Sequence, residues 1–533
     1  MKRVVSVFFC LIFGIACLML RLFVLARDPA VRSGNPNASL TMEAASARGT
    51  IYDCEGRPFV NETIRTYAAV SPAETALPVL RGITTQAAFD EAKERLTQGL
   101  PAVVPTLRAA DADGVRTLRC PVRYGTPLLI AHLAGYCDAD GVGICGLEKS
   151  FEPLLRRRVC TVTFPVNASG RVLCGADVRV RDEGVCTQRG VVLTIDRSMQ
   201  AVVRDALLRS DMRKGAAVLL DAQTGDVKAM VSVPEWDVLH LEESLDDPDA
   251  PFVNRALSAV SVGSVYKILV AAAALESGIS PDLTYTCTGA VQRDDVVFHC
   301  HNRAGHGTLR MADALLHSCN PYFIHLASCV PTRTLLELSA AAGLGSAAEL
   351  AEGIASDAGV LPDEAELVSS AARANLAFGQ GRLTASPLQI AAATAAFASD
   401  GIYHAPRLVL AVQDDAGART YTEADAGTRI VTGRTARQVR EMLVYSAAHT
   451  KQFTSFSDCG GKTATAQTGV YENGEEKLNA WYSGFFPARQ PRYVLTILYE
   501  DGNSGAADCI PLFEIIAENI EKTSGKQLQK GKN

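Results

Sequence analysis

The chain has 533 residues, 48% hydrophobic and 21% charged, which is apolar material for more than one core, so two or more domains are expected. A formal net charge of −6 offers no basic surface, which excludes nucleic acid as a partner. Its fifteen cysteines are an odd number diluted over a long chain, so they neither define a disulfide scaffold nor fix a redox compartment.

From the amino terminus, Val4 to Leu20 is an uncharged, mostly apolar run containing Cys10 and Cys17, and it resumes after Arg21 as Leu22 to Ala26. As one helix it reaches roughly 30 Å, enough for a bilayer if Arg21 snorkels to the headgroups. No small-x-small cleavage site follows, so 1–26 is expected to be a short cytoplasmic end and an uncleaved anchor rather than a signal peptide. Lys2 and Arg3 keep that end inside, giving a single-pass protein of the cell membrane with an extracytoplasmic body. Residues 27–47, rich in Pro, Asn, Ser and Gly, are read as a juxtamembrane linker. Over 48–189 short strands alternate with charged helical stretches such as Ala87 to Gln98, and no catalytic constellation occurs: a non-catalytic pedestal domain.

From 190 the register changes. Val191 to Ile195 and Ala216 to Leu220 read as buried strands joined by a helix over Ser198 to Leu208. A helix-rich middle runs from Ser264 to about Phe397; strands return at Tyr493 to Tyr499, and Ile510 to Ile520 has the spacing of a closing amphipathic helix. Residues 190–521 are therefore expected to form an α/β (α+β) catalytic domain, a sheet with a helical insert, and 522–533 a disordered tail.

Ser264-Val265-Tyr266-Lys267 is the one place where Ser stands three residues before Lys. It opens the apolar run from Ile268 to Leu275, so it is predicted as the first turn of a buried helix, with hydroxyl and amine on one face. A lysine pressed into apolar surroundings is held neutral and can act as the base on that hydroxyl. Two further elements follow in order. Ser318-Cys319-Asn320 lies between two helical stretches, where a loop can aim a hydroxyl and a carboxamide into a cleft. Gly460 to Gln467 has the alternation of an extended strand presenting Lys462 and Thr463 to a substrate carboxylate.

This ordered set, S-x-x-K, S-x-N and K-T-x, resembles that of the class B, monofunctional penicillin-binding proteins, membrane-anchored D,D-transpeptidases of peptidoglycan. The resemblance extends over Arg48 to Gly56, Gly143 to Glu148, Leu193 to Gln200, Asp221 to Asp226, and Phe378-Gly379-Gln380-Gly381 with Ser386 to Gln389, a helix-capping stretch. It implies a five-stranded antiparallel sheet with helices on its faces. It also implies a mechanism in which Ser264 attacks the penultimate D-Ala of a stem peptide and Lys267 takes its proton. Ser318 and Lys462 would relay the proton to the leaving amine, while Asn320 holds the acyl-side amide. Lys462 and Thr463 would bind the terminal carboxylate, and the Ser264 and Thr465 backbone N–H groups the oxyanion. The implied partners are D-Ala-D-Ala stem peptides, β-lactams as inhibitors, the membrane, and a membrane glycosyltransferase of the cell-wall machinery; no metal or organic cofactor is implied. The sequence departs from the family pattern at Val262, where Pro is usual, and at Ala464, where Gly is usual.

A serine D,D-carboxypeptidase, a β-lactamase and a catalytically silent β-lactam-binding scaffold or sensor share these motifs and are the alternatives. Ser33-Gly34-Asn35 and Lys522-Thr523 also fit motif fragments but fall in the expected linker and tail, where a site has no rigid support. Cys287, His299, Cys300, His301 and His306 match no common zinc spacing, and a Cys287–Cys300 disulfide is the preferred reading. Trp236 and Trp481 are expected to pack, and Asp53 and Glu148 to hold turns and caps.

Overall fold

The computed structural model describes residues 2–27, 39–167, 171–173, 179–182, 184–185 and 187–530. These fall into two compact units of non-contiguous chain: 1–48, 61–123 and 157–187 in the smaller, and 49–60, 124–156 and 188–533 in the larger. The sequence reading drew one contiguous domain over 48–189. It could not register that Thr50–Tyr52 pairs in parallel with Gly190–Leu193, which carries the 49–60 segment into the larger unit.

In the smaller unit, Lys2–Arg27 is a helix whose described side chains, 8–24, are all exposed, Phe8, Phe13, Leu18 and Phe23 among them. Among the described residues no helix is long and apolar enough to cross a membrane. The expected linker contains a strand, Ser39–Ala47, paired antiparallel with Arg158–Pro165, and Arg179–Asp182 completes that sheet. A second antiparallel sheet has Thr63–Val70 between Ala102–Thr106 and Val115–Val122. The helix predicted over Ala87 to Gln98 is found at Gln86–Thr97, opened by the Thr85 side chain accepting from Ala88 N. Its Phe89, Ala92 and Leu96 bury against Ala68, Val70 and Val104 of this sheet. Ser33 and Asn35 lie outside the described residues.

The larger unit is organised by a five-stranded antiparallel sheet of β1 (Gly215–Asp221), β2 (Val227–Val233), β3 (Gly460–Glu472), β4 (Glu475–Phe486) and β5 (Tyr493–Glu500). Their spatial order is β2-β1-β5-β4-β3, which leaves β3 on an edge. Strand alternation divides the core. Ala217 and Leu219 of β1 face the helices α1 (Arg197–Leu208) and α5 (Ile510–Lys530), through Val203, Leu207, Phe513 and Ile516. Ala216, Val218 and Leu220 face a mostly helical layer that includes α2 (Lys267–Glu276), α3 (Asn320–Cys329) and α4 (Pro387–Ala398).

The strand at Val191 is not part of this sheet. Gly190–Leu193 lies in a separate four-stranded sheet with Thr50–Tyr52, Val409–Gln413 and Arg419–Tyr421, because its backbone bonds go to the first two of these. Helix α5 also continues to Lys530, past the point where composition assigned a disordered tail. Helical pairs at i,i+4 extend it: Lys522 with Glu518 at 3.3 Å, and Thr523 Oγ1 donating to Asn519 O at 2.7 Å. Lys522 is therefore an exposed helix residue.

Candidate active site

The chain reaches the nucleophile through a two-residue strand, Val260–Ser261, paired with Thr384–Ala385, and the buried Trp481 indole fixes it by donating to Ser261 O at 3.0 Å. Gly263–Tyr266 then forms a turn of 3₁₀ helix that runs directly into α2. In that tighter winding residues three apart share a face, which puts Ser264 and Lys267 on the same side of the chain. Gly263 starts the turn at φ +64°, and its N–H donates to Gly379 O at 2.8 Å. The approach is so close that a Cβ on Gly379, itself at φ +77°, would stand 1.9 Å from Gly263 O. The F-G-Q-G stretch therefore clamps the nucleophile turn. Beyond it, Ser386 and Gln389 form the capping box that starts α4, with N···O distances of 3.2 and 2.8 Å.

Lys267 is fully buried at 0% exposure, whereas Ser264, Ser318 and Asn320 are half-buried and reach the surface. Its Nζ lies 2.7 Å from Ser318 O, 2.7 Å from Asn320 Oδ1 and 3.2 Å from Ser318 Oγ, and 5.5 Å from the Phe323 ring centre. Burial holds its pKa well below 10.5, and the neighbouring Lys462 ammonium pushes in the same direction. A neutral amine has two N–H donors and one lone pair. In that form the two carbonyl oxygens can take the donors, which leaves the lone pair for a hydroxyl. Ser318 sits at φ +48°, a left-handed conformation that turns the S-x-N segment so that its first and third residues both face the amine.

On β3, Lys462, Ala464 and Ala466 point to the helical face, and Thr463 and Thr465 to the other. Lys462 is 1% exposed; its Nζ donates to Thr463 O at 2.9 Å and to Thr463 Oγ1 at 3.4 Å, and burial lowers its pKa to about 7. Thr463 is half-buried and Thr465 exposed, and Thr465 Oγ1 accepts from Gly505 N at 3.4 Å. Beside Lys462 its register partner Ser483 links Thr394 of α4 to Thr496 of β5, both at 2.7 Å, a closed hydroxyl chain that fixes the sheet under the lysine. The Ala464 methyl abuts the nucleophile turn: a Cβ on Gly263 would meet it at 3.4 Å and the Ala466 methyl at 3.0 Å.

The structure thus brings Lys267, Ser318 and Asn320 into direct contact, with Ser264 one turn before the lysine, and sets Lys462, Thr463 and Thr465 on the adjoining strand. Asp53 holds a turn, accepting from Glu55 N at 3.0 Å and from Arg57 N at 2.7 Å, and Glu148 is buried on Tyr124 OH at 2.9 Å. Both are structural carboxylates, as expected. Sequence reasoning named Gly379 and Trp481 but missed their roles, which are contacts with backbone far along the chain. It also missed where the S-x-N cysteine points. Cys287 and Cys300 are free thiols, not a disulfide, and with His306 and Cys319 their ligand atoms all lie within 4.8 Å of one another. His299 and His301 are outside this group.

A serine hydroxyl one turn before a buried lysine whose pKa is lowered by burial, with a second serine and a carboxamide on the same amine, defines a serine acyl-transfer site. Residues 215–518 match the penicillin binding protein transpeptidase domain, and the chain belongs to that family. It is 28% identical over 410 residues to the peptidoglycan D,D-transpeptidase PbpA of Mycolicibacterium smegmatis, covering 71% of this chain and 79% of the relative. It is 25% identical over 560 residues to the peptidoglycan D,D-transpeptidase FtsI of Escherichia coli, covering 96% and 90%. The crystal structure of penicillin-binding protein 3 of Mycobacterium tuberculosis complexed with aztreonam superimposes with a TM-score of 0.66 at 25% identity, over 91% of this chain and 97% of that one.

Proposed function

We propose that the chain is a peptidoglycan D,D-transpeptidase that works through an acyl-enzyme on Ser264 and is a target of β-lactams. The observation that carries this is the contact of the buried Lys267 Nζ, its pKa lowered by burial, with Ser318 O and Asn320 Oδ1 one turn from Ser264, because two acceptors for its N–H groups let the deprotonated amine turn its lone pair to a hydroxyl. Ser264 Oγ attacks the carbonyl carbon of the penultimate D-Ala while its proton passes to Lys267 Nζ. The Ser264 and Thr465 backbone N–H groups stabilise the resulting oxyanion. As the C–N bond breaks, Ser318 and Lys462 return a proton to the departing D-Ala amine and an ester remains on Ser264. Asn320 holds the acyl-side amide, and Lys462 with Thr463 the terminal carboxylate. An amine of a second stem peptide then attacks the ester, forming the cross-link and restoring the Ser264 hydroxyl. With a β-lactam the leaving nitrogen stays tethered, so the ester persists.

The same reading extends to an anchored protein working at the outer membrane face beside a membrane glycosyltransferase. Its support is in the sequence, the uncharged apolar run from Val4 to Leu20 preceded by Lys2 and Arg3. The test is labelling of membranes by a fluorescent penicillin, which Ser264→Ala should abolish. Label that survives this substitution rules out the assigned nucleophile. Rapid turnover of a chromogenic cephalosporin would favour a β-lactamase, and release of D-Ala without cross-links a carboxypeptidase.

A further inference from the structure

The motif residue between Ser318 and Asn320 faces away from the base. Cys319 is 0% exposed and shares its pocket with Cys287 and Cys300, at 2% and 1%, and with the half-buried His306. The three thiols come from separate pieces of chain. Cys287 ends a short strand, Tyr285–Cys287, paired with Gly307–Leu309; Cys300 follows the hairpin strand Val296–His299; Cys319 is the cap residue before α3. The loop that brings them together is tightly built. Gly289 and Gly305 have φ of +95° and +83°, and a Cβ at either would strike backbone, Arg303 O at 2.0 Å or Cys287 O at 2.3 Å. His306 Nδ1 lies 3.4 Å from Cys300 Sγ, and its ring stacks on His317 with centroids 5.1 Å apart.

Three thiols and an imidazole whose ligand atoms lie within 4.8 Å of each other have the size of a tetrahedral site, in which metal–sulfur bonds of about 2.3 Å separate the sulfurs by roughly 3.8 Å. A disulfide would use two thiols and strand the third in an apolar pocket. A borderline-soft divalent ion uses all three together with the imidazole, and this donor set suits zinc. We propose that Cys287, Cys300, His306 and Cys319 form a Cys₃His site for one Zn²⁺ ion. The ion ties the loop 287–307 to the back of the S-x-N turn. It acts as a structural staple and takes no part in the acyl transfer; its effect on the reaction is to hold Ser318 and Asn320 on Lys267.

The test uses the full chain purified in detergent without added metal. Elemental analysis should find about one zinc per chain, and Cys287→Ala, at a position outside the three motifs, should lose it. Because that variant can also lose its fold, wild-type protein is measured in parallel. Its Cys287, Cys300 and Cys319 thiols should resist alkylation until a chelator is added, and Co²⁺ taken up by the stripped protein should give the thiolate-to-metal absorption of a tetrahedral sulfur site. Removing the metal should slow acylation of Ser264 by penicillin at least tenfold, and Zn²⁺ should restore it. Wild-type protein that is metal-free, or that carries a disulfide among these cysteines, overturns the site. So does zinc retained in both Cys287→Ala and Cys319→Ala. Either result leaves the labelling of Ser264 intact, so the failure of this inference is distinct from failure of the transpeptidase reading.

Discussion

Lys462→Met should stabilise the protein at neutral pH while impairing its reaction with penicillin. In the unfolded chain Lys462 titrates near 10.5; in the folded protein burial lowers this to about 7. Between those values the unfolded state binds one more proton than the folded state, so the lysine's contribution to stability rises with pH by about 1.4 kcal/mol per pH unit. It is complete above 10.5 and is lost as the pH falls to 7. The deficit at pH 7 is about 4 kcal/mol for the whole interval. Methionine has similar bulk and no charge; it forfeits the hydrogen bonds to Thr463, worth about 1 kcal/mol, which leaves a net gain of about 3 kcal/mol. For a unit of this size that is a rise of roughly 4 °C in melting temperature. The assay is thermal unfolding of both proteins, followed by tryptophan fluorescence at pH 7, 8 and 9. The gap between them should shrink as pH rises, since shifts of other groups cancel in the difference. A variant less stable at pH 7, or a gap equal at pH 7 and 9, would refute the reasoning.

Lys267→Arg replaces the amine with a guanidinium that does not deprotonate and so cannot act as the base; stopped-flow acylation should fall by about 10²–10⁴. Gly379→Ala puts a Cβ 1.9 Å from Gly263 O at a positive φ; it should cost about 3 kcal/mol or more in thermal unfolding and remove penicillin labelling. Ala464→Gly removes the methyl that abuts the nucleophile turn. Bulky β-lactams should then acylate about five-fold faster relative to small penicillins, a change of about 1 kcal/mol, and equal change for both classes would show that the methyl does not gate the cleft.

The motif residues were legible because each chemical role needs a particular side chain at a particular spacing. Ser264 and Lys267 lie three residues apart in one turn, and Lys462 lies on a strand whose alternation shows in the sequence. The sheet strands β1 and β5 and helix α1 were legible from apolar patterning for the same reason. What escaped was long-range pairing. The apolar run at Val191 looks like any buried strand, and nothing local tells which of two sheets receives its hydrogen bonds. The Trp481 indole on Ser261 O and the contact of Gly379 with Gly263 O join residues more than a hundred positions apart. The cysteine cluster escaped because its third thiol lies inside a motif already assigned to catalysis. Spacing tests applied to Cys287, Cys300 and the histidines alone lack one ligand.

The S-x-N turn has two faces and each is spoken for. Ser318 and Asn320 give Lys267 its carbonyl acceptors at 2.7 Å, while Cys319 points into the thiol pocket on the other side. A turn with a left-handed residue, Ser318 at φ +48°, is costly to hold without support on both sides. Helix α3 anchors its far end, and the buried Cys319 anchors its middle. The base is therefore positioned through the backbone of this turn as much as through its own helix, and a change at Cys319 reaches Lys267 without touching it. The nucleophile turn is built on the same plan. Gly263 is met by Gly379 on one side and by Ala464 and Ala466 on another, so the S-x-x-K turn and the K-T-x strand meet through small residues and backbone. At joints this close one methyl displaces the reacting groups by tenths of an ångström, and reaction rate responds to such displacements more steeply than fold stability does.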